Sequence, residues 1–258
     1  MLADKVVIVT GSSAGIGFAI AQALHAERAR VIVHGSSAAK VEEAARRLDG
    51  APAVVADLAD PAAATRIVHA ALASYGRLDG LVNNAGIFPR GDIESTDAAL
   101  FDRIFAINTR APLLLAREAV RVFRKQKSPG SIVTIGSINA WCGQSDLLPY
   151  SMSKGALITM TRNLGDALAP ERIRVNLLNV GWTLTETENA VQREQGRPDD
   201  WHKKVPEIFA PTGELLSPDM IAPHVLFWLS GRSAPVTGQV YEVEQYPLIG
   251  RNRMNRQE

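Results

Sequence analysis

The chain has 258 residues, 46% of them apolar, which is enough for one sizeable hydrophobic core. Its 28 Lys and Arg residues balance 27 Asp and Glu residues, and the net charge of +1 argues against nucleic-acid-binding and membrane-surface proteins, which usually carry a basic patch. A single cysteine, Cys142, excludes an internal disulfide, and the lack of a long uncharged apolar stretch predicts a cytoplasmic protein without a membrane span.

Short apolar runs rich in β-branched residues alternate with helical patterns along the whole chain. In chain order these runs are KVVIVT, RVIVHG, APAVVAD, LDGLVNNAG, GSIVTIGS, IRVNLLNVG and QVYEVEQ. Runs that are apolar on both faces indicate buried parallel strands, and their alternation with helices indicates right-handed βαβ units. The sequence therefore predicts an α/β fold, with one doubly wound, mostly parallel, seven-stranded sheet flanked by helices in a single Rossmann-like domain over residues 1–258.

The first strand leads directly into TGSSAGIG, a glycine-rich stretch that opens the first helix. Here Gly11 permits a tight turn, Gly15 lets the backbone approach a pyrophosphate, and Gly17 lets the helix pack closely on the sheet. The free N–H groups of the helix N-terminus would bind the phosphates, whereas the Lys-Ser/Thr of a nucleotide-hydrolysing loop is missing. The predicted dinucleotide contacts in this stretch are Gly11, Ser13, Gly15, Ile16 and Gly17.

The end of the second strand, VIVHGSSAAK, bears on the choice between NAD and NADP. A carboxylate at this point would bind the ribose diol and repel a 2′-phosphate. The chain instead has Ser36 and Ser37, followed by Lys40, which tolerate or hold a phosphate. The sequence therefore favours NADP as the cofactor and leaves NAD open.

Polar motifs also follow the later strands in a fixed order. They are Asp57-Leu58, the NNAG of residues 83–86, Asn108, Ser137 and the YSMSK of residues 150–154. Each motif alone is equally explained by a turn, a cap or a buried polar group. Their combined order resembles that of the short-chain dehydrogenase/reductase superfamily, from about Lys5 to about Val243.

The resemblance implies roles for particular residues. Asn108, Ser137, Tyr150 and Lys154 match the family's catalytic tetrad, and the further cofactor contacts that it implies are Asp57, Leu58, Asn84, Ala85, Gly86, Tyr150, Lys154, Gly181 and Thr183. It also implies a homo-oligomer, commonly a tetramer. This chain departs from the family in having Val180 before Gly181 instead of proline, and EVEQYPLIG instead of a terminal Asp-Gly-Gly.

Tyr150 and Lys154 are four residues apart, so they share one face of a helix. A free tyrosine, with a pKa of about 10, is a poor base at pH 7, and lowering that pKa by about three units requires about 4 kcal/mol. One cation about 4 Å away supplies roughly this energy at an effective dielectric constant near 20. We therefore expect Lys154 to lower the pKa of Tyr150, Ser137 to hold the substrate oxygen, and Asn108 to relay protons through water.

The expected reaction is reversible interconversion of a secondary alcohol and a carbonyl, with the hydride moving to or from the cofactor. No metal is needed, and none of the five histidines shows ligand spacing with cysteine or with another histidine. A dinucleotide-binding redox sensor or scaffold is the non-enzymatic alternative. Such a protein does not require Ser, Tyr and Lys at catalytic spacing, and this chain has all three.

Residues 182–216 interrupt the alternation of strands and helices, and they are predicted to form a lid over the substrate. The predicted small-molecule contacts are Ser137, Asn139, Trp141, Gln144, Tyr150 and Trp182. Flat apolar surface combined with amide groups suits a sugar or polyol. Packing within the lid explains the two tryptophans equally well, and reduction of a 3-oxoacyl thioester is the alternative activity.

Overall fold

A computed structural model describes residues 2–247, which form a seven-stranded sheet with helices on both faces. The strands are β1 (Val6–Val9), β2 (Arg30–Gly35), β3 (Ala53–Val55), β4 (Gly80–Asn83), β5 (Gly130–Ile135), β6 (Ile173–Val180) and β7 (Val240–Val243). They lie in the order β3-β2-β1-β4-β5-β6-β7, and every neighbouring pair is parallel. The predicted doubly wound α/β fold is confirmed, with a fully parallel sheet.

The α-helices follow the strands in the predicted alternation. They are α1 (Gly15–Ala26), α2 (Ala38–Arg46), α3 (Ala63–Tyr75), α4 (Ala98–Phe105), α5 (Ala111–Gln126), α6 (Asn139–Cys142), α7 (Leu148–Leu168), α8 (Glu186–Glu194) and α9 (Pro218–Leu229). A π-helical turn, Ala106–Arg110, joins α4 to α5, and 3-10 turns occupy Ala169–Glu171, Trp201–Lys204 and Gly231–Ser233. In the described part of the chain, no helix combines the length and the apolar character that a bilayer crossing requires.

Two hydrophobic cores lie on opposite faces of the sheet. One contains residues of α1, α2 and α9, and the other contains residues of α3 and α5. Within β1, Val7 and Val9 belong to the first core, whereas Val6 and Ile8 belong to the second. Because both faces of each central strand are buried, the strands read as continuous apolar runs in the sequence.

The strand order reverses direction between β1 and β4, which are neighbours in the sheet. The chain leaves β1 for α1 and β2 on one side and leaves β4 for α4 and β5 on the other, so the two loops diverge at the carboxyl edge of the sheet. Parallel α/β sheets bind ligands in the crevice at such a reversal. The glycine-rich stretch after β1 and the NNAG loop after β4 flank this crevice.

Residues 182–216 form a compact excursion beyond the end of β6. A parallel bridge between Thr183 and Leu216 closes its base, and α8 lies within it. A separate small core centres on the buried Trp201, against which Trp182 stacks with 5.5 Å between ring centroids. The packing explanation for Trp182 therefore holds, although this residue also faces the cavity described below.

The buried histidine at the end of β2 joins two loops. His34 Nδ1 accepts a hydrogen bond of 3.1 Å from the Gly11 amide, and Nε2 lies 3.1 Å from the Ala56 carbonyl oxygen. Both contacts require a neutral ring with its proton on Nε2. Burial lowers the pKa of His34 to about 4. The ring thereby fastens the glycine-rich stretch to the end of β3.

This arrangement predicts a loss of stability in mild acid. The unfolded state, with a pKa near 6.5, binds a proton before the folded state does, so the contribution of His34 is complete above pH 6.5 and decreases as the pH falls towards 4. Between pH 7.5 and 4.5 this residue should account for about 2–3 kcal/mol of the decrease in the free energy of unfolding. Urea denaturation of wild type and His34→Gln at both pH values measures that share, and the variant should lose less.

His69→Gln is the matched control, because His69 is exposed on α3. This control should retain the wild-type difference between the two pH values. An equal decrease in wild type and His34→Gln would contradict the assignment of acid sensitivity to His34.

Candidate active site

A cavity of about 1060 Å³ opens at the carboxyl edge of the sheet, where the β1 and β4 loops diverge. It is at the upper end of ligand-pocket volumes, which suits a dinucleotide together with a small substrate. All of the predicted cofactor contacts line it: Gly11, Ser13, Gly15, Ile16, Gly17, Ser36, Ser37, Asp57, Leu58, Asn84, Ala85, Gly86, Tyr150, Lys154, Gly181 and Thr183. The fold thus brings residues from five strand ends and from α7 to one surface.

The glycine-rich stretch has the backbone shape of a phosphate cradle. Gly11 and Gly15 have φ angles of +65° and +55°, in the left-handed region that favours glycine. A Cβ on Gly17 would collide with the Gly11 carbonyl and with the side-chain amide of Asn84 at the end of β4, so only glycine allows α1 to approach these groups. No side chain caps the start of α1, which leaves its first N–H groups directed at the cavity, as a pyrophosphate requires.

Thr10 ties the NNAG loop to the glycine-rich stretch. Its Oγ1 accepts hydrogen bonds from the backbone amides of Asn84 and Ala85, at 3.0 and 3.1 Å. The Asn84 side chain donates in return to the Thr10 carbonyl at 2.8 Å. Sequence reasoning missed Thr10, because a polar residue at a strand end carries no distinguishing signal.

The end of the cavity near β2 and β3 is lined by hydroxyl groups and by charged groups of both signs. Ser36, Ser37 and Lys40 line it beside Asp57. One Asp57 oxygen accepts from the Ala59 amide and the other from Arg103, and these two hydrogen bonds lower the pKa of Asp57. The Asp57–Arg103 pair could not be predicted from the sequence, because Arg103 comes from α4, distant in the chain.

The start of α7 carries the tyrosine and lysine into the cavity. Lys154 is 4% exposed, and its Nζ donates a 2.8 Å hydrogen bond to the carbonyl of Ile135, the last residue of β5. The same nitrogen lies 5.7 Å from the centroid of the Tyr150 ring. Phe88 packs edge-on against that ring, with 6.2 Å between centroids. The phenol is thereby held between the β4 loop and α7.

Ser137 is fixed just beyond the end of β5. Its backbone amide donates to Asn179 Oδ1 at 3.1 Å, and its Oγ accepts from the Asn139 amide at 3.2 Å. The Ser137 hydroxyl also lies close enough to the Tyr150 phenol to lower its pKa. The two hydroxyl groups can therefore act on one substrate oxygen.

The pKa of Tyr150 is shifted in the direction opposite to the sequence-based expectation. Burial is the largest effect and raises the pKa of Tyr150, the hydrogen bond with Ser137 lowers it, and the Glu188 carboxylate raises it further. Burial also lowers the pKa of Lys154 to about 8. The predicted lowering of the Tyr150 pKa by Lys154 was wrong for this geometry, because burial is the largest effect at both groups.

Asn108 sits in the π-helical turn, a feature often found at functional sites. Its Oδ1 accepts from the Ile87 amide at 2.9 Å, while its Nδ2 donates to the Ile87 carbonyl at 2.8 Å and to Ser153 Oγ at 3.1 Å. Ser153 Oγ donates in turn to the Tyr150 carbonyl at 2.7 Å. Asn108 is buried behind the cavity wall, where it holds the β4 loop to α7; its water relay stays a prediction.

The predicted substrate contacts divide into two groups. Ser137, Asn139, Gln144, Tyr150 and Trp182 line the cavity, whereas Trp141 does not. Asn139 and Cys142 occupy the inner face of the single-turn helix α6, so Trp141, between them in sequence, is on the outer side and is 40% exposed. The expected substrate contact from Trp141 is therefore absent from this arrangement.

The cavity is also lined by residues that the sequence did not identify as site residues. Among them are Phe88, Arg90, Thr185, Glu188, Gln192 and Arg197. Most belong to the excursion of residues 182–216, whose pattern gave no secondary structure from which to place them. Among residues 2–247, no three His, Cys, Asp or Glu side chains are grouped to hold a metal ion.

Comparison with known proteins places this geometry in a family. A family model described as enoyl-(acyl carrier protein) reductase matches residues 11–245. The chain is 32% identical over 249 residues to 2-(S)-hydroxypropyl-CoM dehydrogenase 3 of Xanthobacter autotrophicus, covering 94% of this chain and 96% of that protein.

Solved structures share the fold over nearly the full length. L-sorbose reductase of Gluconobacter frateurii, complexed with NADPH and L-sorbose, has a TM-score of 0.87 at 29% identity, with 94% of this chain and 96% of that chain covered. The 3-ketoacyl-(acyl-carrier-protein) reductase of Brucella melitensis, complexed with NADH, has a TM-score of 0.83 at 30% identity, with 95% and 98% covered. The chain belongs to the short-chain dehydrogenase/reductase family and is an NAD(P)-dependent oxidoreductase that interconverts an alcohol and a carbonyl.

Proposed function

We propose that the enzyme acts on a polyhydroxylated carbonyl compound, a sugar or the corresponding polyol. The observation that supports this substrate class is the lining of the cavity beside Tyr150. Aromatic surface from Phe88 and Trp182 faces the same space as polar groups such as Gln144 and Glu188. Stacking together with hydrogen bonding is how proteins hold sugar rings and chains. The similar structure that contains L-sorbose supports the same class.

We also propose catalytic roles for the cavity residues, with residues 182–216 as a substrate lid on a single Rossmann-like domain. The nicotinamide supplies or accepts the hydride when the cofactor is bound. Ser137 Oγ binds the substrate oxygen, and the Tyr150 hydroxyl gives a proton to it during reduction. Burial keeps the pKa of Tyr150 high, so the phenol retains its proton at neutral pH. Lys154 provides the nearby positive charge, and Asn108 positions the helix that carries both residues.

Tyr150→Phe tests the proposed proton transfer. Removal of the hydroxyl should lower kcat by about 10²- to 10⁴-fold, the usual contribution of a positioned acid or base. Quenching of protein fluorescence by NADPH should change little, because the ring and its packing remain. Tyr241→Phe is the matched control, since Tyr241 is exposed on β7. Near-normal kcat in Tyr150→Phe would show that another group moves the proton.

For the cofactor, we propose a preference for NADP over NAD. Ser36, Ser37 and Lys40 line the cavity where a 2′-phosphate would lie, and this strand end has no carboxylate. The two similar structures hold NADPH and NADH respectively, so they support dinucleotide binding without deciding between the two.

Ser36→Asp tests this preference by placing a carboxylate at the end of β2. The added charge should repel a 2′-phosphate and bind the ribose diol, and we expect the ratio of kcat/KM for NADPH to that for NADH to fall by about tenfold or more. Steady-state kinetics with each cofactor measure the ratio. Ala73→Asp, an exposed position on α3, adds the same charge elsewhere and should leave the ratio unchanged. An unchanged ratio in Ser36→Asp would contradict the proposed site.

Reduction of a 3-oxoacyl thioester is the second candidate activity. The Brucella melitensis structure favours it, and the description of the matching family also names an acyl-carrier-protein substrate. Acetoacetyl-CoA and L-sorbose, assayed side by side with NADPH, distinguish the two activities.

We propose further that the protein is a cytoplasmic homotetramer. The single cysteine suits a reducing compartment, and the exposed Phe227 and Tyr241 provide apolar surface on α9 and β7. Light scattering coupled to size exclusion measures the number of subunits.

A further inference from the structure

Two acceptor side chains on α8 face the cavity. Glu188 and Gln192 are four residues apart, so they share one face of the helix, and both line the cavity. Thr185 begins this helix, and its Oγ1 accepts a 3.0 Å hydrogen bond from the Glu188 amide. The backbone that carries Glu188 is therefore fixed by a helix cap.

The Glu188 carboxylate is anchored through only one of its oxygens. Its Oε1 accepts a 2.9 Å hydrogen bond from Trp182 Nε1 and a 2.7 Å hydrogen bond from Gln192 Nε2. Within residues 2–247, no protein group donates a hydrogen bond to Oε2. The carboxylate is thus held in one orientation, and its Oε2 can accept a hydrogen bond from a ligand.

Gln192 has an acceptor without a partner. This side chain is 4% exposed, and its Oε1 is buried without a hydrogen bond to any described residue. A buried polar atom left in this state costs free energy, which a ligand's donor group would recover. Two substrate hydroxyl groups, one donating to Glu188 Oε2 and one to Gln192 Oε1, would supply the donors.

These acceptors share the cavity with Tyr150, the proposed proton donor. Tyr150 and Glu188 line the same cavity, and the Glu188 charge reaches the phenol strongly enough to raise the pKa of Tyr150. Lys154, Arg90 and Arg197 line the cavity as well. Their positive charges disfavour a cationic ligand, so a neutral hydroxyl is the donor that fits.

We propose that Glu188 and Gln192 bind substrate hydroxyl groups adjacent to the reacting carbonyl and thereby select polyhydroxylated carbonyl compounds over plain ketones. The inference rests on the proposed function, because it explains how this site would recognise a sugar or polyol. Trp182 is then a positioning residue, which holds the carboxylate through its indole N–H.

The test compares two six-carbon 2-ketones, L-sorbose and 2-hexanone, which differ in their hydroxyl groups. The ratio of kcat/KM for L-sorbose to that for 2-hexanone should be high in wild type and about 10- to 100-fold lower in Glu188→Gln, which loses a charge-assisted hydrogen bond. Loss of the Glu188 charge also changes the pKa of Tyr150, but that effect acts on both ketones and cancels in the ratio. Gln192→Leu should lower the ratio in the same direction.

Glu186→Gln is the matched control, because Glu186 is an exposed carboxylate on the same helix and does not line the cavity. This control should keep the wild-type ratio. Melting temperature and NADPH binding, measured for every variant, report on folding and on the cofactor half of the site.

The outcomes separate the two proposals. No preference for L-sorbose in wild type, including no activity on it, overturns the sugar or polyol function and this inference together. A wild-type preference that survives in Glu188→Gln overturns the inference alone. An equal loss on both ketones with a lower melting temperature also overturns it, because Glu188 would then serve only to anchor Trp182.

Discussion

The ammonium of Lys154 lies buried at the end of β5, where it donates a hydrogen bond to the Ile135 carbonyl. A buried charge is costly, and one backbone oxygen offsets only part of that cost, which is why its pKa falls to about 8. The neighbouring backbone packs closely against the Lys154 ammonium. A Cβ on Gly86 would lie 3.6 Å from Lys154 Nζ and 3.3 Å from Asn108 Oδ1, so the β4 loop approaches the lysine through a glycine. The reactive helix is therefore fixed to the sheet by polar contacts as well as by apolar packing.

Two neighbours of Tyr150 have opposite effects on its proton. The Ser137 hydroxyl favours the phenolate, whereas Glu188 and burial favour the phenol, and burial has the largest effect. Part of this balance comes from the loop after β5 and part from the excursion of residues 182–216. Substrate recognition and proton affinity are consequently coupled, because Glu188 takes part in both.

The sequence was sufficient to predict the sheet and many of the residues that line the cavity, and it failed where long-range packing decides. Strands such as β1 are apolar on both faces, so pattern alone located them, and glycines at strand ends marked the cradle. The direction of the Tyr150 pKa depended on burial, and the position of Trp141 depended on the face that α6 presents, neither of which spacing reveals. His34 left a weak signal, a polar residue in an otherwise apolar strand. Glu188 left none, because its helix lies in a segment without a clear pattern.

The excursion of residues 182–216 has its own small core around Trp201 and is closed at its base by the bridge between Thr183 and Leu216. Apart from Leu216 at its base, which belongs to the first core, the excursion packs separately from the two cores that hold the sheet. Substitutions at Trp182, Glu188 or Gln192 can therefore accumulate without loosening the glycine cradle or the β5–α7 contact. In evolutionary terms, this architecture lets a lineage exchange one substrate for another while the hydride-transfer apparatus stays unchanged.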